Sequence, residues 1–147
     1  MKILFICTGN YYRSRFAEIY FNHLAPELHL VDFAHSRGLI VQEWTNPISQ
    51  TTLKYLEKLG VNPNSNHRMP MVLTNDCFKS YHRFIAMDEQ EHRPMIESKF
   101  PKWADRMEYW RIRDKPAATP EISIPRLAKN IEELLYSISL NVMKQTI

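Results

Sequence analysis

Cysteine and glycine are scarce in this chain of 147 residues, which contains two cysteines and three glycines. Two cysteines, Cys7 and Cys77, are too few for the disulfide-stapled scaffolds of small secreted proteins. A long apolar run is also lacking. The one at the start ends at Ile6, which is too short for a secretory signal or for the roughly 20 apolar residues of a membrane span. We therefore expect a reducing, cytoplasmic location and no membrane partner.

An excess of charge of one sign is missing as well. The formal net charge is +3, and the basic residues of 93–115 alternate with acidic ones, so no large basic patch is expected. This argues against a nucleic-acid partner. Hydrophobic residues make up 44% of the chain, which is ordinary for a globular protein, and the length suits one domain over residues 1–147.

Short apolar runs alternate with segments of helical periodicity along the chain. Strands are predicted at 2–6, 29–34, 84–87 and 107–112. Helices are predicted at 14–24, at 49–59 with Gly60 as the C-cap, after 74–76, from 88, and from 126 to near the end, with a loop over 113–125. Strands separated by helices predict an α/β domain with a parallel sheet of about four strands.

The segment Cys7-Thr8-Gly9-Asn10-Tyr11-Tyr12-Arg13-Ser14 carries the strongest chemical signal. It starts where the first strand ends and stops where the first helix begins. A loop in that place presents backbone N–H groups and a helix N-terminus to a bound anion such as phosphate. Glycine and asparagine, which stand together inside it, are the residues that most readily adopt a positive φ.

Five residues separate Cys7 from Arg13, which allows the loop to curl around an anion between the sulfur and the guanidinium. The planar guanidinium can bind two phosphate oxygens at once. The same positive surroundings favour the thiolate of Cys7, and the Ser14 hydroxyl can donate to it. A cysteine after a buried strand is more often core filler, but the placement between strand and helix favours a nucleophile.

These residues resemble a known signature. The run from Ile6 to Ser14, continued by Ala17-Glu18, is similar to that of the low-molecular-weight protein tyrosine phosphatases. Weaker similarity covers three further segments, His35-Ser36-Arg37-Gly38, His67-Arg68 and Ala86-Met87-Asp88. The resemblance implies a flavodoxin-like three-layer sandwich with helices on both faces of the sheet. It also implies a phosphomonoester hydrolase that works through a cysteinyl-phosphate intermediate, without a cofactor or a metal.

Site residues follow from the same resemblance by position. Cys7 would be the nucleophile, Arg13 the phosphate ligand and Ser14 the residue that assists the thiolate. The rest of the phosphate-binding loop would be Thr8, Gly9, Asn10, Tyr11 and Tyr12, with Asn10 shaping the loop.

The general acid of this family is an aspartate followed directly by proline. Here Asp114 occupies that region, but Lys115 stands between it and Pro116. A carboxyl group beside the anionic pocket can protonate a leaving oxygen, so Asp114 is the predicted acid. Asp88 is the other carboxylate at the end of a predicted strand, and the resemblance makes it structural.

Several departures from the family concern the substrate. Tyr12 stands where many members carry a second, shielding cysteine, and Arg15 stands where proline is frequent. Tyr11 and Trp44 are candidates for the walls of a pocket that takes a flat aromatic group. The expected substrate is a phosphorylated protein bearing phosphotyrosine, or a small aryl phosphoester.

Two other functions fit the same motif. Arsenate reduction on this fold would need further cysteines to take the oxidising equivalents from Cys7, and only Cys77 is available. This count excludes a three-cysteine relay but leaves a glutathione-dependent route open. A phosphate- or phosphoprotein-binding module would keep the loop but lack a working acid.

Overall fold

A computed structural model describes residues 1–43, 46–63 and 68–145 of the chain. In these residues, four parallel strands form one sheet in the order β2-β1-β3-β4. The strands are β1 (Lys2–Cys7), β2 (Phe33–Gly38), β3 (Arg83–Ala86) and β4 (Glu108–Tyr109). The helices are α1 (Arg13–Leu24), α2 (Gln50–Lys58), α3 (Cys77–Ser80), α4 (Glu89–Lys99) and α5 (Pro120–Gln145), with 3₁₀ turns at Ala25–Leu28 and Ala104–Arg106.

The sheet is buried on both faces, because the side chains of β1 alternate between two apolar clusters. Ile3 and Phe5 belong to the cluster formed with α1, α2 and α5. Leu4 and Ile6 belong to the other cluster, formed with α3 and α4. Two helical layers thus enclose one parallel sheet, which confirms the expected flavodoxin-like three-layer α/β fold.

The carboxyl ends of the strands meet at one edge of the sheet. The chain leaves β1 at Cys7 and enters α1 at Arg13, so the predicted phosphate-binding loop spans this edge. The segment after β3 begins with Met87 and Asp88, and Ile112 follows β4 with its backbone N–H bonded to the Met87 carbonyl at 2.7 Å. Three connections therefore converge where ligands collect in open α/β sheets.

The second strand lies further along the chain than the sequence predicts. The prediction of 29–34 is wrong, since β2 runs from Phe33 to Gly38 and Val31 is 89% exposed. β2 is an edge strand whose buried residues are Ala34, Ser36 and Gly38. Small and polar residues in those places carry little apolar signal, whereas the preceding run His29–Ala34 carries more.

The C-terminal helix begins earlier than predicted. The loop over 113–125 is wrong in its second half, because α5 already begins at Pro120 and contains Pro125. Pro120 occupies the first position of the helix, where its missing N–H has no partner to lose, whereas Pro125 lies in the second turn and gives up one backbone hydrogen bond. The strand predicted over 107–112 shrinks to Glu108–Tyr109, while Gly60, at φ 75°, follows α2 as predicted.

Candidate active site

Cys7 lies at the floor of the loop, buried at the end of β1. Its Sγ is 2.9 Å from Ser14 Oγ, also buried. Asn10 Nδ2 donates to the same Ser14 oxygen at 2.9 Å. Since a hydroxyl has one hydrogen and Asn10 donates to this oxygen, the serine proton is free to point at the sulfur. The geometry thus suits a serine that donates to a Cys7 thiolate.

Asn10 occupies the centre of the loop in the left-handed conformation, with φ 53°. Its buried amide donates to Ser14 and to Ser36 Oγ at 2.8 Å. Its oxygen accepts from Arg68 Nη1 and from the Met71 backbone N–H, both at 3.0 Å. All of these bonds are made beneath the loop, so the Asn10 side chain supports the loop and does not line the cavity above it.

Carbonyl groups of the loop bond to the surrounding chain. Thr8 O accepts from the Ile40 N–H at 2.8 Å, and Tyr11 O accepts from the Ser49 N–H at 3.0 Å. The N-cap residue of α1, Tyr12, makes no side-chain capping bond. Because these carbonyl groups bond to residues outside the loop, the N–H groups of the loop and of the helix N-terminus are the backbone groups that can bind an oxyanion.

Gly38, at the end of β2, lets the loop lie directly against the sheet edge. A Cβ atom at this position would come within 2.9 Å of Asn10 N and of Gly9 C. Any larger residue would push the loop backbone away. This close approach explains why residue 38 is glycine. In the sequence, only the weak family similarity of segment 35–38 draws attention to it.

Arg13 is almost fully buried, at 2% exposure. Its Nη1 donates to Ile112 O at 2.8 Å and to Glu91 Oε1 at 3.0 Å, while Nη2 donates to Glu91 Oε2 at 2.7 Å. Burial opposes the charge, but the hydrogen bond to Glu91 and the charges of Cys7 and Glu91 raise the pKa of Arg13 overall. Two donors are left for a ligand, Nε–H and the second Nη2–H. They lie on the same edge of the guanidinium, which can bind two phosphate oxygens.

Asp114 lies on the wall of the same cavity, despite the intervening Lys115. Its Oδ2 is 3.9 Å from Arg13 Nη2, while its Oδ1 accepts from the Lys115 N–H at 2.8 Å. Ser123 Oγ in α5 donates to Arg113 O at 2.6 Å, which ties the preceding residue to the helix. The predicted acid is therefore within the site, with one oxygen near the arginine and half of its side chain exposed.

The cavity above the loop measures about 280 Å³. Its lining combines predicted and unpredicted residues: Cys7, Thr8, Gly9, Tyr11, Tyr12, Arg13, Ile40, Gln42 and Asp114. Ile40 and Gln42 were missed because they follow β2, whose end the sequence places too early. Tyr11 is a wall residue as predicted, whereas Trp44, the second predicted wall, and His67 lie outside the described residues.

Two arginines, Arg68 and Arg15, support the loop on the side away from the cavity. The sequence predicts this role for neither of them. Arg68 Nη2 donates to Glu18 Oε1 and to Ser36 Oγ, both at 2.9 Å. Arg15 is fully buried and donates to the carbonyls of Pro47 and Arg68. Burial and the nearby Arg68 lower the pKa of Arg15 to about 10. These contacts join segments far apart in the chain, so no local pattern reveals them.

The remaining carboxylate and cysteine of interest lie elsewhere. Asp88 is buried at the start of α4, 4.0 Å from Arg113 Nε, and does not line the cavity. Cys77 is buried with the apolar cluster on the sheet face opposite to that of Cys7, and both thiols are free. A disulfide between the two cysteines would have to cross the sheet, so the arsenate reductase alternative is not favoured.

Within residues 1–43, 46–63 and 68–145, no group of three or more His, Cys, Asp or Glu side chains is arranged to hold a metal ion. Within the same ranges, no helix has the length and apolarity needed to cross a membrane.

A flavodoxin-like sheet with a cysteine, an arginine and a serine around an anion-binding loop defines a cysteine-dependent phosphatase. A sequence model of the family "Low molecular weight phosphotyrosine protein phosphatase" matches residues 2–135, and the chain belongs to this family. It is a phosphoric monoester hydrolase, as the sequence predicts.

Individual proteins are similar to this chain in sequence or in fold. The chain is 29% identical over 107 residues to a protein-arginine-phosphatase of Bacillus subtilis (strain 168), covering 73% of this chain and 68% of that protein. A low molecular weight protein tyrosine phosphatase of T. tengcongensis superposes with a TM-score of 0.74 at 26% identity, covering 94% and 97% of the two chains. A low molecular weight phosphotyrosine phosphatase of Vibrio cholerae gives a TM-score of 0.76 at 20% identity, covering 100% and 99%.

Proposed function

We propose that this protein hydrolyses phosphotyrosine in phosphorylated proteins, with Cys7 as nucleophile, Arg13 as phosphate ligand, Ser14 as thiolate donor and Asp114 as general acid. The observation that carries the proposal is the convergence of these groups on one cavity. Cys7 Sγ lies 2.9 Å from Ser14 Oγ, and Arg13 and Asp114 line the same cavity as the cysteine.

In the first step, the Cys7 thiolate attacks phosphorus in line with the ester oxygen. An S–P bond forms, the P–O bond to the leaving group breaks, and the proton of Asp114 Oδ2 passes to the leaving oxygen. Arg13 and the loop N–H groups bind the three equatorial oxygens, where negative charge concentrates. The products are an alcohol or phenol and a cysteinyl-phosphate.

In the second step, water attacks the cysteinyl-phosphate. Asp114, now ionised, accepts a proton from the water, the S–P bond breaks, and the sulfur leaves as a thiolate. Ser14 stabilises this thiolate through its hydroxyl, as it does in the attack. Inorganic phosphate is released, and the cycle requires no redox partner.

The tyrosine preference rests on the cavity wall. Tyr11, Tyr12 and Ile40 supply aromatic and aliphatic surface beside the phosphate loop, which suits a flat ring. A small aryl phosphoester would fit the same surface if the substrate is not a protein. Phosphoarginine in proteins is a second candidate. The Bacillus subtilis relative is named a protein-arginine-phosphatase, and the carboxylate of Asp114 can accept hydrogen bonds from a guanidinium.

Hydrolysis of a small aryl phosphate with chelator present tests the catalytic assignments. Cys7→Ser is expected to abolish turnover. Asp114→Asn is expected to lower kcat about 100-fold on esters with poor leaving groups, and much less on esters with good ones. Asp105→Asn, at a carboxylate 94% exposed, is the control and retains wild-type rates. Activity that survives in Cys7→Ser, or equal rates for Asp114→Asn on all leaving groups, would contradict the assignments.

Substrate preference needs a separate comparison. Two peptides of the same sequence, one with phosphotyrosine and one with phosphoarginine, are offered at equal concentration, and released phosphate is measured. A higher kcat/KM for the phosphotyrosine peptide supports the proposal. A higher value for the phosphoarginine peptide would transfer the function to the second candidate.

The expected setting of this activity is the cytoplasm. Both free cysteines would be maintained as thiols there, and Cys7 needs to be a thiol to act. We propose that the reaction uses no cofactor.

A further inference from the structure

The structure assigns a positioning role to Glu91, a carboxylate in the first turn of α4. We propose that Glu91 fixes the guanidinium of Arg13 and the start of the phosphate-binding loop in the arrangement that receives the phosphoryl group. The inference rests on the proposed function and adds a residue that neither the motif nor the cavity lining contains.

Glu91 holds Arg13 by a two-point contact. Oε1 accepts from Nη1 at 3.0 Å and Oε2 accepts from Nη2 at 2.7 Å, and the Nη1 group also donates to Ile112 O. These bonds consume three of the five N–H donors of the guanidinium. They leave the edge formed by Nε–H and one Nη2–H for phosphate, and they prevent the guanidinium plane from rotating.

The same carboxylate also holds the loop. Thr8 Oγ1, one residue after the nucleophile Cys7, donates a hydrogen bond to Glu91 Oε2. Glu91 therefore connects both ends of the segment 7–13 to α4. Rotation of the arginine would break its hydrogen bonds to Glu91, and a shift of the loop would break the bond between Thr8 and Glu91.

His92 completes the cluster from the next position of the helix. The Asp88 N–H donates to His92 Nδ1 at 3.0 Å, so Nε2 carries the hydrogen of the neutral ring. Nε2 lies 3.1 Å from Thr8 Oγ1 and from Glu91 Oε2. The imidazole is completely buried, which fixes the direction of this donor. Glu91 is thus oriented by its helix before any substrate binds.

A fixed orientation of Arg13 favours catalysis because donors that are already in place stabilise the negative charge of the transition state. If Arg13 had to reorient during the reaction, that cost would be added to the barrier. Displacement of a positioning group by about 1 Å can lower rates about 100-fold. A neutral amide at position 91 would present N–H groups to the N–H groups of Arg13, which favours such a displacement.

The test uses Glu91→Gln, with Glu89→Gln as its matched control. Glu89 lies in the same helix, is 52% exposed and pairs with Arg93 away from the cavity. Three quantities are measured: kcat and KM for an aryl phosphate, the Kd of inorganic phosphate by calorimetry, and the midpoint of thermal unfolding. Phosphate binding needs no turnover, so this result stands even if the proposed reaction fails.

Glu91→Gln is expected to lower kcat about 100-fold and to weaken phosphate binding about tenfold, in protein that remains folded. Glu89→Gln is expected to match wild type within about twofold. Thr8→Val, which removes the hydroxyl that contacts Glu91 and His92, should show a smaller loss of both quantities, and it provides the test if Glu91→Gln does not fold. The proposal is overturned if kcat and phosphate affinity in these variants stay within about twofold of wild type.

Discussion

Asn10 shows how much one side chain contributes to the loop. Its buried amide makes four hydrogen bonds, to Ser14, Ser36, Arg68 and Met71, while its backbone is left-handed. We predict that Asn10→Ala lowers the free energy of unfolding by about 3 kcal/mol, because it leaves buried partners without hydrogen bonds. Urea denaturation measures this quantity. A free energy within about 0.5 kcal/mol of wild type would contradict the prediction.

Asn10→Gly separates the side chain from the backbone. It removes the same four hydrogen bonds but adopts the positive φ without a steric cost. The glycine variant should therefore be more stable than the alanine variant by about 1 kcal/mol, and less stable than wild type. Equal stability of the two variants would show that the conformation of residue 10 carries no strain.

At the residue scale, the sequence predicts the groups that lie in one short segment. Cys7, Arg13 and Ser14 are brought together as expected, because one loop and one helix start determine their separation. Glu91 and Arg68 are not predicted, since they reach the loop from 50 or more positions away along the chain. Their roles depend on which helix and which loop lie beside the sheet edge, and local patterns do not contain that information.

At the element scale, the approach of β2 to the loop makes Gly38 a sensitive position. We predict that Gly38→Ala lowers kcat/KM at least tenfold, because the new Cβ would lie 2.9 Å from backbone atoms of Gly9 and Asn10 and displace the loop. Steady-state kinetics on an aryl phosphate measure the effect.

Gly60→Ala is the matched control for this change. Gly60 has φ 75° and open space around it, so alanine there costs about 1 kcal/mol of stability without touching the site. Its kcat/KM should equal that of wild type. A Gly38→Ala enzyme as active as the Gly60→Ala enzyme would mean that the loop accommodates the methyl group.

The order of strands and helices could be predicted, but the bounds of β2, β4 and α5 could not. β1, β3 and α1 lie within a residue or so of their predicted ends because their apolar patterns are strong. The predicted position of β2 is too early because the buried residues of this strand are small or polar. The predicted α5 is too short because Pro120 and Pro125 are typical of loops. Both errors reflect packing at edges and helix starts, where tertiary contacts outweigh local preference.

At the scale of the whole molecule, Glu91 should make stability depend on pH. Burial opposes its charge, but hydrogen bonds from His92 and Arg13 hold the pKa of Glu91 well below its ordinary value of 4.5. A folded-state pKa below the unfolded one gives stability that is complete above about pH 4.5. This contribution is lost as the pH falls towards the folded-state pKa, because the unfolded chain binds the proton first.

Urea unfolding of wild type and Glu91→Gln measures this contribution from neutral pH down to about pH 3. The difference in free energy between the two proteins should be constant near neutrality and shrink below about pH 4.5. A difference that is independent of pH, or that grows in acid, would contradict the assignment of the charge. That residues 1–147 form one phosphatase-like domain stays a prediction, and a single cooperative transition in these curves would support it.

The central claim, that Cys7 carries the phosphoryl group, is tested most directly by trapping the intermediate. Wild-type protein is quenched in acid during turnover of an aryl phosphate and digested, and its peptides are analysed by mass spectrometry. One phosphoryl group is expected on the sulfur of Cys7, and none is expected in Cys7→Ala treated in the same way. Phosphate on another residue of the wild-type protein, or no phosphorylated peptide during demonstrable turnover, would contradict the account.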